Sequence, residues 1–298
     1  MADDSDMEVI MEYNKKEGIG KKFVEGILLS FEIMGLFMLL QLLISFVGVM
    51  AATVAGIILS EGDMVQTQHI VMDIVMDSNF MTMLTVVATF VSLIFSLSAY
   101  WIIWGRKRTA EDRQFFRKKV LRMRTFSMIV IGSCGLYYLS ILIVGLIMIF
   151  NPEVMENYNE MMEFALGGSE VLAIFAAVIL APINEECIMR GLILKNLQKY
   201  FSEPVVIILQ AIMFGIFHAN WVQGIYAIPI GAALGYVAVK CKSVLPCIFM
   251  HLFYNSLSFV VGMLPEFCQT GVFAIGTIVV SAVVVLYLGK AGKTENDS

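Results

Sequence analysis

The sequence predicts an all-α fold, a polytopic transmembrane helix bundle of about eight spans with both termini on the cytoplasmic side. Three observations predict it. Apolar runs near the ~20 residues needed to cross a bilayer recur along the whole chain. Hydrophobic residues make up 59% of the chain and charged residues 15%, with a mean hydropathy of +0.82. Ordinary globular domains are about half apolar and a quarter charged. Charge is also sorted by side. With the N-terminus placed in the cytoplasm and the sides alternated, all 20 Lys and Arg fall on the inner side. The outer loops 60–78, 151–169 and 265–270 carry acids such as Glu61, Asp63, Asp73, Asp77, Glu153, Glu156, Glu160, Glu163 and Glu266, and no base. Basic loops stay cytoplasmic, so the expectation is a multi-pass protein of the cell membrane.

The apolar runs place the spans at 33–59, 79–104, 126–150, 170–194, 203–219, 222–240, 244–264 and 271–289. Residues 1–32 read as a cytoplasmic tail and entry segment, with 1–22 a mobile polar tail and Glu25 and Glu32 at the interface. The first residues are acidic and the first apolar run is too long for a signal h-region, so no cleavable signal peptide is expected. Residues 33–150 hold the N-terminal transmembrane helices and a basic cytoplasmic loop, 106–124. That loop interleaves Phe115, Phe116, Val120 and Leu121 with cations, a pattern suited to a helix lying on the anionic inner leaflet of the bilayer. Topology already explains its charge, so no nucleic-acid partner is expected. Within the outer loop 151–169, residues 152–166 read as an amphipathic helix packed at the interface. Gly231 and Gly235 form a G-x-x-x-G that lets helices approach closely. Residues 265–298 supply the last span and a cytoplasmic tail. Five cysteines lie far apart with no C-x-x-C pair, which argues against a disulfide framework or a thiolate metal site.

The segment 170–264 is different, because ionisable groups interrupt its apolar runs. Asn184–Gly191 reads N-E-E-C-I-M-R-G directly after twelve almost wholly apolar residues. Adjacent helical residues point about 100° apart, so Glu185 and Glu186 face different ways. Glu186 and Arg190 are four apart and share a face, where the guanidinium can brace the carboxylate. Glu185 is left facing elsewhere. Pro182 just upstream cannot donate an amide hydrogen bond, so an opening is expected there. Glu185 lies sixteen residues before Phe201 and His218 sixteen after Ser202. Both therefore stand about 24 Å from the turn between the fourth and fifth spans. His251 and Asn255, four apart on one face of the seventh span, enter the same layer. Ionisable groups inside a membrane are costly unless paired and mark function by default. A carboxylate beside an imidazole can take a proton from water, and an imidazole and a carboxamide can donate to a forming oxyanion. Cys187 lies nearly opposite Glu185 on the helix and reads as packing, and His69 in the outer loop receives no role.

In this order, E-E-x-x-x-R (Glu185, Glu186, Arg190), F-x-x-x-H (Phe214, His218) and H-x-x-x-N (His251, Asn255) resemble the CPBP family of intramembrane proteases. These are the CAAX prenyl protease 2 and bacteriocin-processing, or Abi, proteins. The resemblance covers about residues 170–260 and makes 170–264 the expected catalytic core. It implies a glutamate-dependent endopeptidase site in a cavity between spans. Carried over, Glu185 would activate water with His218 assisting, and His251 and Asn255 would form the oxyanion hole. Glu186 and Arg190 would hold the architecture, and Phe214 would line the site. The substrate would be a membrane-associated or small peptide, with no cofactor. A zinc-dependent version, with Glu185, His218 and His251 as ligands, is the first alternative. A non-catalytic peptide-binding or bacteriocin-immunity protein is the second. A proton-coupled transporter would usually show repeated halves, and none is visible.

Overall fold

The computed structural model describes residues 4–107 and 123–294. Residues 108–122 of the expected interfacial loop 106–124 lie outside the described residues. Among the described residues there are ten helices and no strand, and the fold is a polytopic helical bundle.

Helix α1 runs from Asp4 to Leu59 without a break. The polar tail expected at 1–22 is therefore helical from Asp4 onward. The reason is local: its Glu and Lys are good helix formers, and no proline interrupts them. At 56 residues the helix is roughly 84 Å long, far more than the ~30 Å hydrocarbon layer. Its apolar part begins at Phe23. The expected outer loop 60–78 contains a second helix, α2 (Met64–Met76), capped by Asp63, whose carboxylate accepts from the amides of Val65 and Gln66. α2 folds back on α1, pinned by the Ser60 and Thr67 hydroxyls at 2.6 Å. Helix α3 (Ser78–Ile103) starts at the Asp77 cap and α4 spans Met123–Phe150. The amphipathic helix expected at 152–166 is α5 (Pro152–Leu166), with Asn151 as its cap and Pro152 in its first turn, where a missing N–H costs nothing.

The remaining helices are α6 (Glu170–Leu197), α7 (Glu203–Phe217), α8 (Trp221–Cys241), α9 (Leu245–Val260) and α10 (Gly271–Thr294). Each of the eight expected spans coincides with a helix. Six are long and apolar enough to cross a membrane, while α7 and the apolar part of α10 are shorter. With 15 residues, α7 reaches about 22 Å. That is shorter than the ~30 Å hydrocarbon layer, and His218 caps its end.

The α7–α8 hairpin packs tightly because Gly231 and Gly235 have no side chain. A Cβ on Gly231 would meet the Ala211 backbone at 3.0 Å, and one on Gly235 would overlap the Gln210 carboxamide. The core is centred on α6 to α9, where Ile188, Ile193, Leu197, Val206, Leu234, Val237 and Cys247 are fully buried. Leu36, Leu42 and Phe46 of α1 and Val272 and Val283 of α10 are instead exposed. An apolar outer face around a polar-seamed interior suits lipid rather than water.

Candidate active site

Helix α6 is not a continuous α-helix. Its α-helical turns Glu170–Ile174, Ala181–Glu186 and Leu194–Leu197 are separated by π-helical stretches at Phe175–Leu180 and Cys187–Ile193. In the π register each amide reaches back five residues, as Ala181 N–H does to the Ala176 carbonyl. The next donor in that register would be residue 182, aimed at Ala177. Residue 182 is proline and has no N–H. Asn255 of α9 supplies the hydrogen instead: its Nδ2 donates to the Ala177 carbonyl at 2.7 Å. The opening expected at Pro182 is thus a π-helical turn closed by a side chain from another helix. Such turns often occur at functional sites, and this pair brackets Glu185 and Glu186.

Glu186 is fully buried, and its Oε1 accepts from Arg190 Nη1 at 2.7 Å and binds His251 Nδ1 at 2.9 Å. An ionised carboxylate only accepts, so Nδ1 carries the hydrogen and the ring turns Nε2 toward Glu185. Arg190 is braced in turn by the Gly231 carbonyl at 3.0 Å, which also accepts from Gln210 at 2.7 Å. The guanidinium stacks over the Phe214 ring, 4.6 Å from its centroid. Glu186 and Arg190 therefore join α6, α8 and α9, while Phe214 joins α7 to them.

Glu185 has the opposite surroundings. Its Oε2 lies 3.9 Å from His251 Nε2, beyond a direct hydrogen bond, and its side chain is 17% exposed. Among the described residues no donor is bonded to it. His218 packs its ring 4.8 Å from that of Phe214, and His251 stands 5.9 Å from the same ring. The two imidazoles thus flank one aromatic side chain, and among the described residues His218 makes no side-chain hydrogen bond. The structure brings Glu185, Glu186, Arg190 and His251 into direct contact range and His218 alongside through Phe214. Asn255 is turned to Ala177, with one of its two N–H groups used there.

No three His, Cys, Asp or Glu side chains among the described residues are grouped so as to hold a metal ion.

Several residues outside the three motifs also hold the site. Asn184, buried beside the two acids, donates to Ser92 Oγ at 2.9 Å and accepts from Ser96 Oγ at 2.8 Å, which locks α6 to α3. Ser92 and Ser96 are four apart, so their shared face was readable; their partner was not. Gln210, alone in an apolar helix, was a similar unread signal. Near His251, Tyr254 donates to Ser140 at 2.9 Å, and the hydroxyls of Tyr158 and Tyr226 meet at 3.3 Å. Together with Tyr137 these residues line a cavity of about 370 Å³ next to the site.

Fold and site define a polytopic helical membrane protein with a carboxylate–imidazole centre buried between its spans. Residues 167–257 match the family described as Type II CAAX prenyl endopeptidase Rce1-like. This is the family that the three ordered motifs resemble, and the matched segment contains every candidate site residue. The match supports an intramembrane endopeptidase of the CAAX type. No match was found among curated proteins or among solved structures.

Proposed function

We propose that the protein hydrolyses a peptide bond of a membrane-associated or small peptide, with Glu185 as the base that activates water. One observation carries this reading. Of two adjacent acids, buried Glu186 is held by Arg190 and His251, whereas part-buried Glu185 has no donor of its own among the described residues and faces His251 Nε2 across 3.9 Å. A polar gap longer than a hydrogen bond is one a water can bridge.

In this scheme Glu185 takes a proton from the water as its oxygen attacks the carbonyl carbon. The carbonyl π electrons move to oxygen, and the oxyanion accepts hydrogen bonds from His251 Nε2–H and from the second N–H of Asn255. The scheme starts from His251 with both ring nitrogens protonated, Nδ1–H fixed on Glu186 and Nε2–H free to donate, so the imidazole gains and loses no proton in the step. Glu185 returns its proton to the leaving amine as the C–N bond breaks, with His218 assisting the transfer. Glu186 and Arg190 keep His251 aligned and Phe214 spaces the two imidazoles. No cofactor takes part. The basic segments lie in the cytoplasm with both termini, against an anionic inner leaflet, and the peptide reaches the site from within the membrane.

The test is cleavage of a peptide library by the purified protein in lipid, read by mass spectrometry. Glu185→Gln is expected to lower the rate by about 10²–10⁴-fold, the usual contribution of a general base, while leaving the unfolding midpoint unchanged. Wild-type rates from Glu185→Gln would remove Glu185 from the mechanism. Full activity after exhaustive chelation is expected; loss on chelation and recovery with zinc would replace the metal-free scheme.

A further inference from the structure

Resting on the endopeptidase reading of Glu185 and His251, we infer that the tyrosine-lined cavity beside them is a specificity pocket for an aromatic side chain of the substrate, on a residue flanking the bond to be cut. The cavity, of about 370 Å³, lies between α4, α5, α8 and α9. Tyr137, Ser140, Val144 and Gly145 belong to its α4 wall, and steps of three and four residues put them on one helix face. Tyr158, Tyr226 and Tyr254 close it from α5, α8 and α9 in turn. The α4 wall and Tyr158 lie outside residues 167–257, so much of the pocket is built by segments that the family match does not reach.

Tyr254 joins the cavity to the active site. It follows His251 by three residues on α9, which places both on one face, and the two ring centroids are 6.2 Å apart. A peptide carbonyl presented to His251 Nε2–H therefore has the cavity within reach of a neighbouring side chain. On its other side the cavity meets the apolar outer face of the bundle, where Ile141 is 41% exposed. A Cβ on Gly145 would meet no atom within 4 Å, so the α4 wall is cut back to backbone there.

The lining selects against charge. Among the described residues none that line the cavity carries one, and a buried charge without a partner is costly. The hydroxyls are turned to protein partners. Tyr254 donates to Ser140 at 2.9 Å, Ser140 donates to the Leu136 carbonyl at 3.0 Å, and the Tyr158 and Tyr226 hydroxyls bond to each other at 3.3 Å. Rings and methyl groups are left for an occupant. An apolar cavity of ~150 Å³ already takes a benzene ring, so this one has room for the side chain of phenylalanine, tyrosine or tryptophan. Aromatic rings favour edge-to-face contact, and Tyr137 and Tyr254 already stand that way, 6.4 Å apart at 64°. A substrate ring extends that cluster.

Gly145→Leu makes the test. Leucine is the better helix former, its side chain fills the cavity from the cut-back wall, and every motif residue stays in place. Full-length protein in phosphatidylcholine nanodiscs is given acetyl-Ala-Ala-Phe-Ala-Ala-amide or its all-alanine counterpart, and cleavage is followed by mass spectrometry. Wild type should prefer the phenylalanine peptide by at least about tenfold, cutting beside the ring. Gly145→Leu should lose that preference while unfolding at the wild-type midpoint or above. Gly35→Leu, the same change at an equally open position on α1, should keep it. A second arm reads binding without cleavage, as the thermal midpoint of Glu185→Gln protein titrated with either peptide. A saturable rise with the phenylalanine peptide, abolished by adding Gly145→Leu, supports the pocket even if wild type cuts neither peptide; only the Glu185 chemistry then falls. Equal handling of the two peptides by wild type in both arms, or a phenylalanine preference that survives Gly145→Leu, overturns the pocket, and Glu185-dependent cleavage alongside either result leaves the endopeptidase reading standing. A phosphatidylcholine molecule retained by wild type and lost from Gly145→Leu, with no peptide preference, assigns the cavity to lipid and overturns the pocket as well.

Discussion

Glu185 and Glu186 are neighbours in the chain, yet the structure gives them opposite environments. Glu186 sits between Arg190 and His251 with no exposure, while Glu185 meets only the far nitrogen of the same histidine. Part of this was readable, since the 100° turn per residue and the four-residue step to Arg190 already separate the two acids. That Glu186 also orients His251 was not readable, because those residues are 65 positions apart. A prediction belongs at this scale. Removing one partner of a buried ion pair costs about 3–5 kcal/mol, so Glu186→Gln should destabilise strongly in chemical denaturation, whereas Glu185→Gln should not. Equal stabilities for the two variants would contradict the division of labour.

At the scale of one helix, α6 gives up regular hydrogen bonding where the site is built. Pro182 leaves the Ala177 carbonyl without a π-register donor, and Asn255 fills the vacancy at 2.7 Å. A proline in an apolar run announces a break; it does not say which register follows or which helix completes it. Pro182→Ala restores an N–H that competes for Ala177. Asn255→Ala should therefore cost less stability in the Pro182→Ala background than in wild type, with a coupling of about 0.5–3 kcal/mol in a double-mutant cycle. Additive losses would show that the two residues do not share that carbonyl. The same helix is tied to α3 through Asn184 and Ser96 at 2.8 Å. Ser96→Ala leaves the buried carboxamide short of a donor and should cost about 1–3 kcal/mol, read from the same denaturation curves.

For the whole molecule, exposed leucine, phenylalanine and valine along α1 and α10 surround a core that holds the charged groups. Such a body should remain in the membrane pellet after an alkaline wash and be released only by detergent; release by alkali alone would contradict the fold. The sequence by itself determined the helical membrane-embedded class, the order of the three motifs and the pairing of Glu186 with Arg190. Hydropathy and steps of four residues are local properties, visible without knowing what lies across the bundle. It read a helix in the outer loop 151–169 but missed those in the outer loop 60–78 and the polar tail, because caps such as Asp63 and a run of good helix formers act below the level of hydropathy. Only the tertiary structure decided that His251 is bonded to one acid and faces the other, that Asn255 serves a helix opened by proline, and that Arg190 is braced by the Gly231 carbonyl. Those are distances between helices remote in the chain, and close packing, through glycines such as Gly231 and Gly235, sets them.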